Sequence, residues 1–413
     1  MSTGKIIMAC ANHWTSMFQV GSHHLARELV RAGYEVAYIS DPISPWHLAH
    51  GLTPALRQRF ALYRAGGLRT PDGRLWAYVP AAALAPQPRP LLRSGLVHCY
   101  WHRLSWPPLK SLLRRNGFGR VDLVYADSAI HLPWVREVPC ARLVYRVADR
   151  NAAFPKSTPA SRALERELAR RADLTVFTAE PLRSYVHELG ARRCAYLPNG
   201  VSLEHFDRGS RTRPPEYEGI RRPIALYVGS LDFWFDAGLL RRTARRLRDV
   251  SFVLIGPEAA AVRALAAEPN VHWLGPRSYE EVPPYLHHAD VGLIPFDVRR
   301  HPELVHAVNP LKLYEYLACG IPVVAVQWQA LRQLGSPARL CATADDFADA
   351  VRRSLQEVPD RGQLRQFAAR HDWRIQAGRL LEMLGLPERP FACRGGLEAA
   401  ACSAPNDGGR DHA

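Results

Sequence analysis

The sequence predicts an α/β protein in which two doubly wound parallel sheets face one cleft. Three observations carry this. Short β-branched strands alternate with amphipathic helices from residue 5 to residue 201. The same alternation restarts at Ile224, after a polar, proline-bearing stretch at 207–222 that suits a linker. A sharply punctuated helix and strand at 309–326 follow in the second series. Strand–helix–strand series of this kind build parallel sheets, which place ligands beyond the C-terminal ends of their strands.

In the first series, residues 5–11 read as a strand and 12–21 as a loop carrying His13, Trp14 and Phe18. Residues 22–32 read as a helix with Leu25, Leu29 and Val30 inward, and 35–40 as the next strand. No G-x-G-x-x-G follows the first strand, which argues against a nicotinamide or flavin cofactor. Residues 41–120 read as irregular and are rich in proline, arginine and tryptophan. Their arginines interleave with apolar side chains, as in Tyr100-Trp101-His102-Arg103-Leu104-Ser105-Trp106. That pattern fits an anionic membrane surface or a core-lining crossover, with an RNA-binding face as a third reading.

Strands follow at 121–125 and 142–147, and Asp149 stands just past the second, where open parallel sheets hold ligand residues. A helix at 161–171, a strand at 174–178, a helix at 181–189 and a strand at 195–197 lead to the turn Pro198-Asn199-Gly200-Val201. The second series has strands at 224–228, 251–255, 271–274 and 291–294, with a helix at 237–248. The expected division is 1–206 for the first domain, 207–370 for the second, 371–387 for a last helix, and 388–413 for a disordered tail of small and polar residues.

The helix at 309–318 carries the chemistry. Asn309 is placed to cap it, Pro310 suits its first turn, and Gly320 and Pro322 stop it. Lys312 and Glu315, three apart, point the same way. They read either as a surface ion pair or as a nucleotide grip, with a helix N-terminus and an ammonium for phosphate and a carboxylate for a ribose diol. The chain has only four lysines, Lys5, Lys110, Lys156 and Lys312, among many arginines, which favours the grip.

At this point the sequence resembles a known family. Leu197-Pro198-Asn199-Gly200-Val201 resembles the interdomain turn of nucleotide-sugar glycosyltransferases with two Rossmann-like domains, the GT-B fold. Pro310-Leu-Lys-Leu-Tyr-Glu-Tyr-Leu-Ala-Cys-Gly-Ile-Pro resembles their donor-nucleotide motif, and the helix opening at Asp372-Trp373 resembles the one that crosses back to the first domain. Tyr145-Arg-Val-Ala-Asp149 and Tyr227-Val-Gly-Ser-Leu-Asp232 are similar to a subgroup acting in bacterial exopolysaccharide and teichuronic acid assembly, near the xanthan glucuronosyltransferase.

The resemblance implies Asp149 as catalytic base and Lys312 as donor-binding lysine. It implies Glu315 at the ribose and backbone amides of Gly229, Ser230 and Leu231 at the diphosphate, with Asn309 at the same helix start. His13, Trp14, Arg146 and Arg150 are the expected acceptor-side residues. Two positions depart from the pattern. Ala307 stands where retaining relatives often carry a second glutamate, and Asp232 where they have a basic pair; both lean toward inverting chemistry. Asp232 reads either as orienting a backbone amide or as capping a helix.

The bulk composition agrees. A formal charge of +15 implies an acidic partner. No zinc finger, RNA-binding aromatic motif or long basic helix points to nucleic acid. Eight cysteines without a C-x-x-C pair imply neither zinc nor a disulfide framework, and no D-x-D pair points to a metal. No apolar run is long enough to span a bilayer. The expectation is a transferase with no cofactor that moves a sugar, glucuronic acid or a hexose, from a UDP-sugar to a lipid-linked or polysaccharide acceptor, cytoplasmic and peripheral on the inner membrane face. An epimerase on the same fold and a non-catalytic scaffold are the rival readings.

Overall fold

Beyond Lys5 the first strand carries only apolar or small side chains, and all of these are buried in the middle of a sheet. The structure is a computed structural model and describes residues 4–207, 211–357 and 359–388. The first sheet contains β1 (Lys5–Cys10), β2 (Glu35–Ser40), β3 (Leu68–Arg69), β4 (Leu75–Tyr78), β5 (Val121–Ala126), β6 (Cys140–Val147), β7 (Leu174–Phe177) and β8 (Cys194–Tyr196). Their order is β3-β4-β2-β1-β5-β6-β7-β8. Every pairing is parallel except β3 with β4. Helices cover both faces, so the central strands read as continuous apolar runs rather than alternating ones.

The second sheet contains β9 (Ile224–Val228), β10 (Ser251–Ile255), β11 (Val271–Trp273), β12 (Val291–Ile294), β13 (Val323–Val326) and β14 (Arg339–Cys341), in the order β11-β10-β9-β12-β13-β14 and all parallel. In each sheet the strand order reverses beside the first strand, which opens a crevice there at the C-terminal strand ends.

Two expectations are corrected. Residues 41–120 are not irregular: they hold β3, β4 and the helices Pro54–Arg64, Gly95–Tyr100 and Leu109–Arg115. A four-residue strand and helices of six or seven residues complete too few periods to show in a sequence pattern, and the eleven-residue helix Pro54–Arg64 buries only Leu56 and Leu62 and so carries no clear apolar stripe. The stretch around 211–222 is not wholly a polar linker, because the Tyr217 side chain has no exposed surface. Residues 208–210 and the expected tail beyond Glu388 lie outside the described residues.

The chain passes from one sheet to the other through the turn at 198–201. Val201 donates to the His371 carbonyl at 3.0 Å, and Trp373 donates to the Val201 carbonyl at 3.0 Å. A Cβ on Gly200 would lie 2.2 Å from the same His371 carbonyl oxygen, so only glycine permits this approach. The last helix, Trp373–Leu384, is capped by Asp372 and places Trp373, Ala377 and Leu380 in one apolar cluster with Leu25 and Leu29 of the first helix, Gly21–Arg31.

Candidate active site

A cavity of about 360 Å³ opens between the two sheets. Arg146, Ala148 and Asp149 from the end of β6 form one wall; Gly229 and Ser230 after β9, with Asn309, Lys312 and Glu315, form the facing one. Of the sequence-predicted residues, Arg146 and Asp149 from the first half of the chain and Gly229, Ser230, Asn309, Lys312 and Glu315 from the second therefore meet in one space.

Lys312 is the second residue of Leu311–Ala318, a helix anchored by the buried side chains of Leu313, Tyr314, Tyr316 and Leu317. Its ammonium lies 5.0 Å from the Tyr227 ring centre and 4.9 Å from that of Phe296. These two faces hold a cation by their quadrupoles without neutralising it. Burial lowers the Lys312 pKa to about 8, partly opposed by the Glu315 charge. Burial likewise raises Glu315 to about 7, partly opposed by Lys312. The two do not form a surface ion pair: among the described residues no salt bridge joins them, and both face the cavity.

The loop after β9 is shaped by glycine. Gly229 has φ +140, and Gly256, at the end of β10, packs so closely that a Cβ there would sit 2.1 Å from the Gly229 oxygen. The Tyr227 hydroxyl donates to the Ser230 carbonyl at 2.6 Å, which ties the loop back to β9. Leu231 is buried beneath the loop, outside the cavity lining. Asp232 accepts from the Phe233 amide at 2.8 Å, so it orients a backbone amide. The following helix, Ala237–Arg246, is capped instead by Asp236, which accepts from Leu239 at 2.7 Å.

Asp149 stands on the cavity wall with no hydrogen bond or ion pair among the described residues. Burial raises its pKa, and the Arg146 and Lys156 charges act against that rise. No loop amide among the described residues satisfies it.

Asn309 does not cap the helix. Pro310 occupies that position without a side-chain bond. The Asn309 amide instead donates to the Thr178 carbonyl at 2.7 Å, and its oxygen accepts from the Tyr314 hydroxyl at 2.8 Å. Its own carbonyl accepts from Asn199 at 2.7 Å, and the Asn199 oxygen takes a 2.5 Å hydrogen bond from Arg146. Arg146, 4% exposed, is thus tied into a chain of side chains that joins β6, the interdomain turn and the donor-side helix. Asn199 was readable only as part of a turn motif; its bridging role needs both domains in place.

The other acceptor-side candidates lie off the cavity lining. His13 bonds Thr15 at 3.1 Å, and burial holds its pKa at about 4. Trp14 packs edge-on against Tyr38 with Arg27 over its ring. Arg150 lies over the Tyr185 ring and near Glu188.

Two family descriptions match successive parts of the chain: "Glucuronosyltransferase GumK, N-terminal domain" over residues 8–178, and "Glycosyl transferases group 1" over residues 222–357. The chain is a GT-B glycosyltransferase homologue, related to exopolysaccharide enzymes. One curated relative, the "Putative teichuronic acid biosynthesis glycosyltransferase TuaH" of Bacillus subtilis strain 168, is 28% identical over 184 residues, 43% of this chain and 46% of that protein. This chain therefore matches about half the length of that relative.

Solved GT-B structures share the fold. Sucrose-phosphate synthase from Thermosynechococcus elongatus superposes with a TM-score of 0.63 at 17% identity, covering 92% of this chain and 99% of that one. Anabaena HepE, solved with UDP and glucose, gives a TM-score of 0.60 at 16% identity over 92% and 99%. Trehalose 6-phosphate synthase from Burkholderia multivorans gives 0.63 at 14% over 93% and 98%. Among the described residues of this GT-B homologue no cluster of three metal-ligating side chains occurs, and no helix is long and apolar enough to cross a membrane.

Proposed function

We propose that the protein transfers a sugar from a UDP-sugar to a hydroxyl of a lipid-linked glycan in cell-surface polysaccharide assembly. The observation that carries this is the meeting, in one cavity, of the Asp149 carboxylate from the end of the first sheet and the Lys312 ammonium beside the second, neither in an ion pair among the described residues. The donor diphosphate rests against Lys312 and the amides of Ser230 and Leu231, and Glu315 holds the ribose. Asp149 takes the proton of the acceptor hydroxyl as its oxygen bonds to the anomeric carbon. The bond from that carbon to the diphosphate oxygen breaks in the same step, and Lys312 stabilises the charge that develops there. With alanine at 307, where retaining relatives often carry a second glutamate, a single displacement that inverts the anomeric centre is the fitting chemistry.

The lipid-linked acceptor brings the protein to the inner membrane face. Leu91, Leu96, Tyr100, Leu104 and Trp106 are exposed, Trp106 by 74%, while Trp76 and Trp101 of the same region are fully buried. The arginine and tryptophan segment thus serves both purposes read from it, a core-lining crossover beneath and an apolar surface above. Arg93, Arg103, Arg114 and Arg115 are exposed around it and favour anionic headgroups.

Asp149→Asn tests the proposal. Turnover is expected to fall by about 10²–10⁴-fold with UDP binding intact. Near-normal turnover of the variant removes Asp149 from the role.

A further inference from the structure

Glu165 lies under the loop that carries Asp149, and its hydrogen bonds all come from that loop or from tyrosines beside it. It sits on the helix Pro159–Arg171 and is 3% exposed. Its Oε1 accepts from the Tyr145 hydroxyl at 2.7 Å and from the Asn151 amide at 2.9 Å. Its Oε2 accepts from the Tyr185 hydroxyl at 2.7 Å. The Tyr185 hydroxyl in turn accepts from the Ala152 backbone at 3.2 Å, and the Arg150 guanidinium lies 5.3 Å from the centre of the Tyr185 ring. Residues 150, 151 and 152, which directly follow Asp149, therefore each end on Glu165 or on Tyr185.

Among the described residues no lysine or arginine pairs with this carboxylate. A buried anion without a cation is costly, and three aimed donors are what make it tolerable. An apolar side chain would hold helix to sheet equally well. A carboxylate with three donors adds something else: it fixes the direction in which the loop leaves β6.

We propose that Glu165 is a positioning residue that holds the loop 149–152 and thereby sets the Asp149 carboxylate on the cavity wall. The proposal rests on the reading of Asp149 as the base, but the hold on the loop is measurable without any turnover.

The test compares wild type with Glu165→Gln and Tyr185→Phe, the second of which leaves every charge in place. Arg146 and Lys156, the charged groups that face Asp149, are untouched in both. Hydrogen exchange of amides 149–154 is expected to rise about tenfold, with the rest of the first sheet unchanged. Carbodiimide labelling of Asp149 against pH is expected to show its midpoint, held up by burial, falling toward the ordinary carboxylate range. Calorimetric UDP affinity is expected to stay within twofold.

Unchanged loop exchange and an unchanged midpoint in both variants would overturn the proposal. So would exchange that rises equally through the helix and β6, the mark of a general packing role. If Glu165→Gln does not fold, Tyr185→Phe alone decides. Failure of the base reading looks different: Asp149→Asn keeps its turnover while the Glu165 and Tyr185 variants still loosen the loop.

Discussion

The Lys312 ammonium lies 3.1 Å from the place a Cβ on Gly229 would take. The lysine and the glycine turn are therefore one device, in which a missing side chain leaves room for the cation beside the loop amides.

Gly229→Ala is expected to damage donor binding more than folding. The new methyl displaces Lys312, and φ +140 is unfavourable for any side chain, at a cost of about 1–3 kcal/mol. UDP affinity measured by calorimetry is expected to fall about tenfold or more, with the melting temperature lowered by a few degrees.

Asn199→Ala is expected to lower stability. It leaves the buried Arg146 guanidinium and the Asn309 carbonyl without their partner, which costs about 1–3 kcal/mol in urea unfolding. Asn199→Asp keeps the acceptor for Arg146 and loses only the donor to Asn309, so a smaller loss is expected.

The pH dependence has a defined sign. Glu315 in the folded protein keeps its proton up to about pH 7, above its unfolded value, so its contribution to stability is lost as pH rises toward 7. Lys312 gives up its proton at about pH 8 when folded and higher when unfolded, so stability returns as pH rises above 8. Glu315→Gln, which has no proton to lose there, is expected to gain melting temperature relative to wild type between pH 5 and 7.5. UDP affinity, which needs a charged Lys312, is expected to decline as pH passes upward through about 8.

Leu96→Ser with Trp106→Ser is expected to weaken co-sedimentation with phosphatidylglycerol vesicles at least tenfold, while the melting temperature holds. Both side chains are 74% exposed, so little packing is lost. Unchanged sedimentation would sink the membrane-surface reading.

Most of the two sheets was legible because short apolar strands alternate regularly with amphipathic helices. The segment 41–120 was not, because β4 is four residues long and its partner β2 lies far away in sequence. Lys312, Glu315, Gly229 and Asp149 were legible as local motifs at strand and helix ends. Asn199 and Glu165 were not: each acts through partners contributed by other elements, a fact of tertiary packing with no local signature. Arg146 shows the converse. Its place beside Asp149 was visible, but its burial against Asn199 was not.

The most direct measurement is calorimetric titration of UDP into wild type and Lys312→Ala. The account predicts that wild type binds UDP and that the variant loses about 10–100-fold in affinity, the worth of a charge-assisted contact of about 1.5–3 kcal/mol. Equal affinity in the two proteins, or no UDP binding by wild type, would contradict it.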